Sequence, residues 1–257
     1  SPSRGLGDVY KRQTYLMVPV EGPLVLYGGY SDSLETIDDV RPAHSVTAFD
    51  AGLDLSAVAS GFAVDVATYL SEVGLPPTAV VGLERTSPSG HAALHDAGLR
   101  VVDAETAVEL ARSRKSPLEL NALRYSIAVA EHGMAAMEAA LLPGINENQL
   151  WSILHQVNIA HDGDWMDGRM LCSGPRSNPW YQEASDRTIE VGDLVPFDTD
   201  MIGPFGYCAD ISRTFLCGGV PPTAEQSDLY ELARAEIEHN TALLYVGASF
   251  RELSQAV

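Results

Sequence analysis

Residues 193–215 decide the fold, and they read D-L-V-P-F-D-T-D-M-I-G-P-F-G-Y-C-A-D-I-S-R-T-F. Two carboxylates, Asp198 and Asp200, stand two residues apart at the end of the first apolar run. In an extended strand, side chains at i and i+2 point to the same face, so both acids are expected to project the same way. The turn signal G-P-F-G precedes a second apolar run, which carries Asp210. We expect a hairpin that returns Asp210 to the side of the first two acids.

Three converging carboxylates need compensation, because they repel one another and lose solvation unless a cation, a shared proton or water is present. The pattern therefore predicts a metal site whose ligands are Asp198, Asp200 and Asp210. The structural alternative is a set of turn and strand-end carboxylates that bind nothing.

The composition is that of an ordinary globular protein with 257 residues, 46% of them apolar and 20% charged. This length suits one large domain or two modest ones. The formal net charge of -19 disfavours nucleic acid and anionic membrane surfaces as partners and favours cations or zwitterions. No apolar run reaches the roughly 18 residues of a membrane span. The three cysteines have no C-x-x-C spacing and are expected to be free thiols in the cytoplasm.

The first part of the chain alternates short apolar runs with helical patterns. Residues 1–13 differ abruptly in composition from the apolar run that begins at Thr14, and they are interpreted as a non-native leader. Residues 14–112 are predicted to form a small α/β domain. Its predicted strands are 14–20, 24–27, 79–82 and 99–102, and its predicted helices are 55–73 and 90–97. It has no phosphate loop, and His44, His91 and His95 are interpreted as isolated structural residues.

Residues 113–257 form the second predicted domain, which starts with a helix signal. Ser116 is a candidate N-cap, with Pro117 at the first helical position and Glu119 completing a capping box. The predicted helix runs to about residue 142, and Asn146 with Gln149 starts another. The predicted apolar face of the first of these helices consists of Leu120, Leu123, Ile127, Ala130, Met134 and Met137.

The segments that begin at Glu131 and Glu238 are partly similar in sequence. Both have a Glu-His pair, an apolar helix face, a glycine, and a leucine six residues after that glycine. If this is a duplicated helix–helix–hairpin unit, the second hairpin would come after Val257. Because the chain also ends within a helical pattern, we expect it to be an internal fragment.

Residues 161–183 are rich in Gly, Pro, Asn and Trp, which is typical of strands joined by tight turns near a site. Trp165 and Trp180 are interpreted either as core anchors or as the wall of a pocket for a cation, since an aromatic face attracts one. Arg213 is expected to form a salt bridge with a ligand carboxylate, and Tyr207 to be a packing residue.

Three motifs together resemble the pita-bread metallopeptidase superfamily of creatinases, Xaa-Pro aminopeptidases and prolidases. They are R-x-x-K-S-P-x-E, P-G-x-x-E-x-x-L and G-Y-x-x-D-x-S-R-T-F, and the resemblance covers about residues 108–257. It implies an α/β (α+β) fold class. A creatinase-like N-terminal domain would precede the first part of a pita-bread catalytic domain. It also implies two divalent metal ions held by Asp, Asp, His, Glu and Glu.

Two departures separate the chain from the peptidases of this superfamily. The peptidases place the first Asp eleven residues before the second, where this chain has Thr199 between Asp198 and Asp200. They also commonly carry a substrate-contacting His where this chain reads S-G-P-R-S-N-P-W-Y. The D-x-D spacing, with W-M-D-G-R-M-L-C-S-G-P-R-S-N-P-W before it, resembles instead the dimethylsulfoniopropionate lyases of DddP type.

This second resemblance implies a homodimeric, iron-dependent lyase that forms acrylate and dimethyl sulfide from a zwitterionic substrate. Asp198, Asp200 and Asp210 match its first three metal ligands. Its later His and Glu ligands and its catalytic base would lie beyond Val257, so the catalytic residues are unknown here and the chain alone is expected to be inactive. Oxygen-rich ligands with one His suit iron, manganese or zinc.

Two other functions stay open at the level of sequence. One is a dinuclear metallohydrolase that cleaves Xaa-Pro bonds, and the other is a non-catalytic binding module on the same scaffold. The sequence after Val257 would discriminate among the three functions. A lyase-type Asp there favours the lyase, a peptidase-type His pair favours the hydrolase, and a loss of ligands favours the binding module.

Overall fold

The computed structural model of the chain describes residues 14–28, 37, 39–44 and 51–256. The chain divides into two compact units, Ser1–Lys115 and Ser116–Val257, so the structural division falls three residues after the predicted boundary. The predicted leader, residues 1–13, lies outside the described residues.

The first unit combines two small sheets with three helices among its described residues. Strands β1 and β2 pair antiparallel, β2 and β3 pair parallel, and β4 and β5 form a separate parallel pair. The predicted strands and helices are present, and β3 and α3 are additional elements. The elements in order are β1 (Tyr15–Met17), β2 (Val25–Tyr27), β3 (Asp39–Arg41), α1 (Leu55–Glu72), β4 (Val80–Leu83), α2 (Pro88–Asp96), β5 (Arg100–Asp103) and α3 (Glu105–Ser113).

Helix α1 organises the core of the first unit. Asp54 caps its start by accepting a hydrogen bond from the Ala57 N–H at 3.1 Å. Phe62, Val66 and Leu70 recur at helical spacing and are buried in one apolar cluster. Tyr69, from the same helix, is buried in a second cluster with Val25 and Tyr27.

His44 has structural contacts, as predicted, although it is not isolated. Its Nδ1 lies 2.7 Å from Asp65 Oδ2, which also accepts a hydrogen bond from the Tyr15 hydroxyl at 2.5 Å. The Asp65 carboxylate of α1 therefore contacts both Tyr15 of β1 and His44.

The second unit begins with two packed helices and continues into two small sheets. One sheet pairs β7 antiparallel with β10, and the other has the order β6-β8-β9. Its elements are α4 (Pro117–Ala140), α5 (Glu147–Ala160), β6 (Trp165–Met166), β7 (Leu194–Asp198), β8 (Met201–Ile202), β9 (Cys208–Ala209), β10 (Ser212–Leu216), α6 (Ala224–Ala242) and α7 (Phe250–Ala256). Short 3-10 turns lie at Gly174–Ser177 and Pro204–Gly206.

The structure confirms the predicted capping box of Ser116 with Glu119 at the start of α4, and it shows a second one, of Asn146 with Gln149, where the next helix was predicted to start. The buried face of α4 differs in part from the predicted one, because Leu120 and Ile127 are 40% and 39% exposed. Ala130, Met134 and Met137 are buried as predicted, and Ser126, Val129 and Gly133 are buried with them. Small residues on this face allow a close approach: a Cβ at Gly133 would lie 2.5 Å from Leu154 Cδ1.

Helices α6 and α7 form the helix–turn–helix at the position of the predicted repeat. Neither helix buries a described residue, in contrast to α4. Among the described residues, no helix combines the length and the apolar character needed to span a bilayer.

Candidate metal centre

The predicted hairpin is present, since both strand pairs are antiparallel and share one register, but its ladder is interrupted at the acidic residues. Strand β7 pairs with β10 only as far as Asp198, which lies opposite Ser212. Strands β8 and β9 then pair with each other in the second sheet, on either side of the 3-10 turn at Pro204–Gly206. The acids therefore occupy the two places where the chain leaves one sheet for the other.

The structure brings Asp198, Asp200 and Asp210 together, with one ligand oxygen from each lying within 4.8 Å of the others. Their convergence does not result from strand alternation alone, because Asp200 lies beyond the end of β7 and has a left-handed φ of 39°. Asp tolerates this region better than most residues with a side chain. A local backbone turn thus aims the second acid back at the first.

The charges of these acids act strongly on one another. The pKa of Asp210 is raised to about 6, first because its hydrogen bond with Asp198 favours a shared proton, and then because of burial and the charges of Asp198 and Asp200. The pKa of Asp200 is also raised, by burial and by the charges of Asp198 and Asp167. Without a cation the cluster holds protons that solvated carboxylates would release.

A divalent cation fits this donor set. Within the described part of the chain, Asp198 Oδ1 is buried and has no hydrogen-bond partner, so one acceptor oxygen of the cluster is available to a ligand. The three side chains offer only oxygen atoms, which suit hard or borderline cations. An ion at this place would reduce the repulsion among the three carboxylates and would give Asp198 Oδ1 a partner.

Asp167 is a neighbour of the cluster that sequence reasoning missed. Its backbone N–H donates to the Asp200 carbonyl at 2.9 Å, and its charge contributes to the raised pKa of Asp200. The signal that could have found it is the Asp167-Gly168 turn within the Gly-rich segment 161–183. A Cβ at Gly168 would lie 3.7 Å from Asp200 Oδ2, so the glycine leaves space beside the acid.

The two tryptophans predicted for the site lie in different places. Trp165 is 48% exposed and lies on β6 opposite Ile202, so it is not a core anchor. Trp180 is half-buried, and its ring centroid lies 6.3 Å from that of Tyr181. In the described structure, no hydrogen bond or ring contact connects Trp180 to the three carboxylates.

Arg213 differs from its predicted role, and Tyr207 makes a hydrogen bond that was not predicted. Arg213 is exposed on β10 and donates from Nη1 to the Ser212 carbonyl at 2.8 Å, and the predicted salt bridge is not formed among the described residues. The Tyr207 hydroxyl donates to Glu119 Oε1 at 3.2 Å, which ties the start of β9 to the start of α4 in addition to any packing.

A buried polar network around Glu147 supports the strands that carry the acids. Glu147 is fully buried at the start of α5, where it accepts hydrogen bonds from the Ser173 and Ser185 hydroxyls, each at 2.7 Å, and pairs with Arg176. Arg187 extends the network by donating to Ser173 Oγ and, at 2.6 Å, to Asp193 Oδ2. Segment 173–187 is thereby tied both to α5 and to the residue that precedes β7.

Comparisons with known proteins place this chain in a family. Residues 121–257 match the sequence profile of metallopeptidase family M24. The chain is 34% identical over 212 residues to "Dimethylsulfoniopropionate lyase DddP" of Roseovarius nubinhibens, covering 80% of this chain and 47% of that protein. The protein of the same name from Roseobacter denitrificans is 34% identical over 211 residues, with the same coverage. The chain thus spans about half the length of these curated relatives.

Solved structures show the same fold at lower identity. The Xaa-Pro dipeptidase from Bacillus anthracis has a TM-score of 0.74 at 18% identity, covering 98% of this chain and 68% of that one. The prolidase from Pyrococcus furiosus has a TM-score of 0.73 at 19% identity, covering 95% and 66%. The matching profile covers more than half of the chain, and the chain belongs to metallopeptidase family M24.

Proposed function

We propose that Asp198, Asp200 and Asp210 bind divalent metal ions and that the whole protein is a lyase acting on dimethylsulfoniopropionate. The observation that carries the proposal is the D-T-D turn, which aims two adjacent carboxylates at a third with ligand oxygens within 4.8 Å of one another. The two relatives named as DddP lyases support the same function at 34% identity.

The proposed reaction is an elimination that consumes no water. A base removes a proton from the carbon next to the substrate carboxylate, and the electrons of that C–H bond form the new C=C bond. The C–S bond breaks with its electron pair leaving on sulfur, which gives acrylate, neutral dimethyl sulfide and one proton. Bound metal would supply Lewis-acid polarisation of the substrate carboxylate.

The chain's own residues would hold the metal and attract the sulfonium. The carboxylates of the cluster and Asp167 place negative charge at the site, and the whole chain has a formal net charge of -19. Trp165 and Trp180 are proposed as aromatic faces for the sulfonium group, with Trp165 better placed because β6 pairs with β8 directly after Asp200.

The remaining features of the proposal belong to the whole protein. We expect two metal ions, with iron favoured over manganese or zinc, in a homodimeric cytoplasmic enzyme. We expect the base and the other metal ligands in the part of the whole protein that this chain does not cover, since the chain spans 47% of the length of the two lyases.

A second candidate function is hydrolysis of Xaa-Pro dipeptides at a dinuclear metal site. Membership of metallopeptidase family M24 favours it, and the first solved neighbours are named as a dipeptidase and a prolidase. Thr199 counts against it, because a buried threonine occupies the position at which the resemblance to the peptidases implies a metal ligand.

Headspace gas chromatography of the metal-loaded whole protein tests the choice. We expect release of dimethyl sulfide from dimethylsulfoniopropionate, its loss together with bound metal in Asp198→Ala, and its retention in Asp96→Ala, which removes an exposed acid of the first unit. Hydrolysis of a Xaa-Pro dipeptide without dimethyl sulfide would contradict the lyase proposal and support the second candidate.

A further inference from the structure

We propose that Thr199 is a positioning residue whose hydroxyl holds the two acid-bearing turns together. It stands between Asp198 and Asp200, yet its side chain is fully buried and takes no part in the acidic cluster. The assignment rests on the proposed metal site and adds to it a residue that would touch neither metal nor substrate.

The hydroxyl of Thr199 bridges the backbone on both sides of Asp210. Its Oγ1 donates to the Ala209 carbonyl at 2.7 Å and accepts from the Ile211 N–H at 2.9 Å. Both donor and acceptor functions of the hydroxyl are therefore used, and each reaches a residue adjacent to the third acid.

This bridge lies where regular strand pairing stops. Strand β7 ends at Asp198 and β10 begins at Ser212, and the Thr199 N–H donates only a long hydrogen bond of 3.3 Å to the Ile211 carbonyl. The side chain thus supplies the contacts that a continued ladder would otherwise make. With the hydroxyl removed, two polar backbone groups would lose a partner in a buried place.

The consequence for the site is geometric. The three carboxylates come from two separate turns, 198–200 and 209–211, so their relative positions depend on the contacts that fix one turn to the other. Metal ligands must be held close to their productive geometry, and groups that orient the ligands affect affinity strongly. Besides the hydrogen bonds that Asp210 itself makes with Asp198 and Asp200, the Thr199 hydroxyl spans these two turns in the described structure.

Three variants distinguish a positioning role of Thr199 from a general contribution to the stability of the fold. Thr199→Val keeps the shape of the side chain and removes the hydroxyl, whereas Thr199→Ser keeps the hydroxyl. Val195→Ala removes buried methyl groups from the same strand while leaving the bridge intact, because Val195 is fully buried on β7. The measurement is Mn²⁺ binding to the whole protein by isothermal titration calorimetry, with Mn²⁺ electron paramagnetic resonance as a second readout, well below each melting temperature.

We expect Thr199→Val to weaken Mn²⁺ binding by about tenfold or more, the range seen when groups that orient metal ligands are removed. Thr199→Ser should restore affinity close to that of the wild type, and Val195→Ala should lower the melting temperature without weakening Mn²⁺ binding. Wild-type affinity in a folded Thr199→Val protein, or an equal loss in Val195→Ala, would overturn the assignment. Absence of Mn²⁺ binding in the wild type would instead refute the proposed metal site itself.

Discussion

Asp200 has a φ of 39°, and this torsion angle determines how the acidic strand ends. With an extended backbone, β7 would continue past Asp198 and carry Asp200 along β10. The left-handed turn instead brings Asp200 back toward Asp198 and Asp210, while Thr199 enters the interior. Close packing of three acids then raises the pKa of Asp210 to about 6.

The raised pKa predicts a pH dependence of stability in the metal-free protein. A carboxyl whose folded pKa lies above its unfolded value binds protons more tightly when folded, so its contribution to stability falls as pH rises from 3.8 to about 6. In EDTA at about pH 7.5, Asp210→Asn should therefore melt at a higher temperature than the wild type, because it lacks the repulsion. This difference should shrink as the pH is lowered toward about 5.

Thermal melting followed by circular dichroism at several pH values measures this difference. Asp186→Asn, which changes an exposed acid of the same unit, is the matched control. A difference between Asp210→Asn and wild type that does not vary with pH would contradict the raised pKa.

For individual residues, sequence alone predicted which acids would meet but not how. The i, i+2 spacing and the turn signal at G-P-F-G were sufficient to bring Asp198, Asp200 and Asp210 to one place. The left-handed Asp200 and the bridging hydroxyl of Thr199 depend on contacts between segments ten or more residues apart. The local conformational propensity of each residue does not predict contacts between such distant segments.

Glu147 sets the relation between elements in the second unit, because it joins the start of α5 to segment 173–187. Burial raises the pKa of Glu147, but hydrogen bonds from Ser185, Ser173 and Arg176 outweigh burial and leave the pKa below its ordinary value. The network is therefore built for a charged carboxylate at neutral pH. Its stabilisation is present above the unfolded pKa and is lost as pH falls through the folded pKa.

Substitution of Glu147 by Gln should destabilise the second unit by about 2 kcal/mol at neutral pH, since it leaves Arg176 without its buried counter-charge. Urea unfolding at neutral pH measures the change, with Glu138→Gln on the exposed face of α4 as the control. The gap between Glu147→Gln and wild type should close in acid, where Glu147 is protonated too. If Glu147→Gln were as stable as Glu138→Gln at neutral pH, the network would contribute little to stability.

Elements with strong local signals were predicted well, and those defined by tertiary contacts were not. The capping boxes at Ser116 and Asn146 fixed the starts of α4 and α5, because capping depends on residues three apart. The buried face of α4 was misplaced at Leu120 and Ile127, since burial is set by what α5 and the β8–β9 turn cover. Ser126 is buried too, and its hydroxyl is satisfied there by donating to the Pro204 carbonyl at 3.3 Å.

In the molecule as a whole, fold class and family could be predicted from motifs that cover the second unit. Mixed α/β architecture and membership of metallopeptidase family M24 were both predicted, and both are confirmed. Lyase and hydrolase share this scaffold, so fold cannot choose between them. The choice depends on the acidic turn and on groups expected outside this chain.

Metal binding by the D-T-D turn and Asp210 underlies both the proposed reaction and the role of Thr199. Anomalous diffraction from crystals of the whole protein soaked in Mn²⁺ would locate the ion, with Asp198→Ala crystals as the matched control. We expect an anomalous difference peak bounded by Asp198, Asp200 and Asp210 in the wild type and its loss in the variant. A wild-type map with no peak among these three carboxylates, or an unchanged peak in Asp198→Ala, would contradict metal binding at this site.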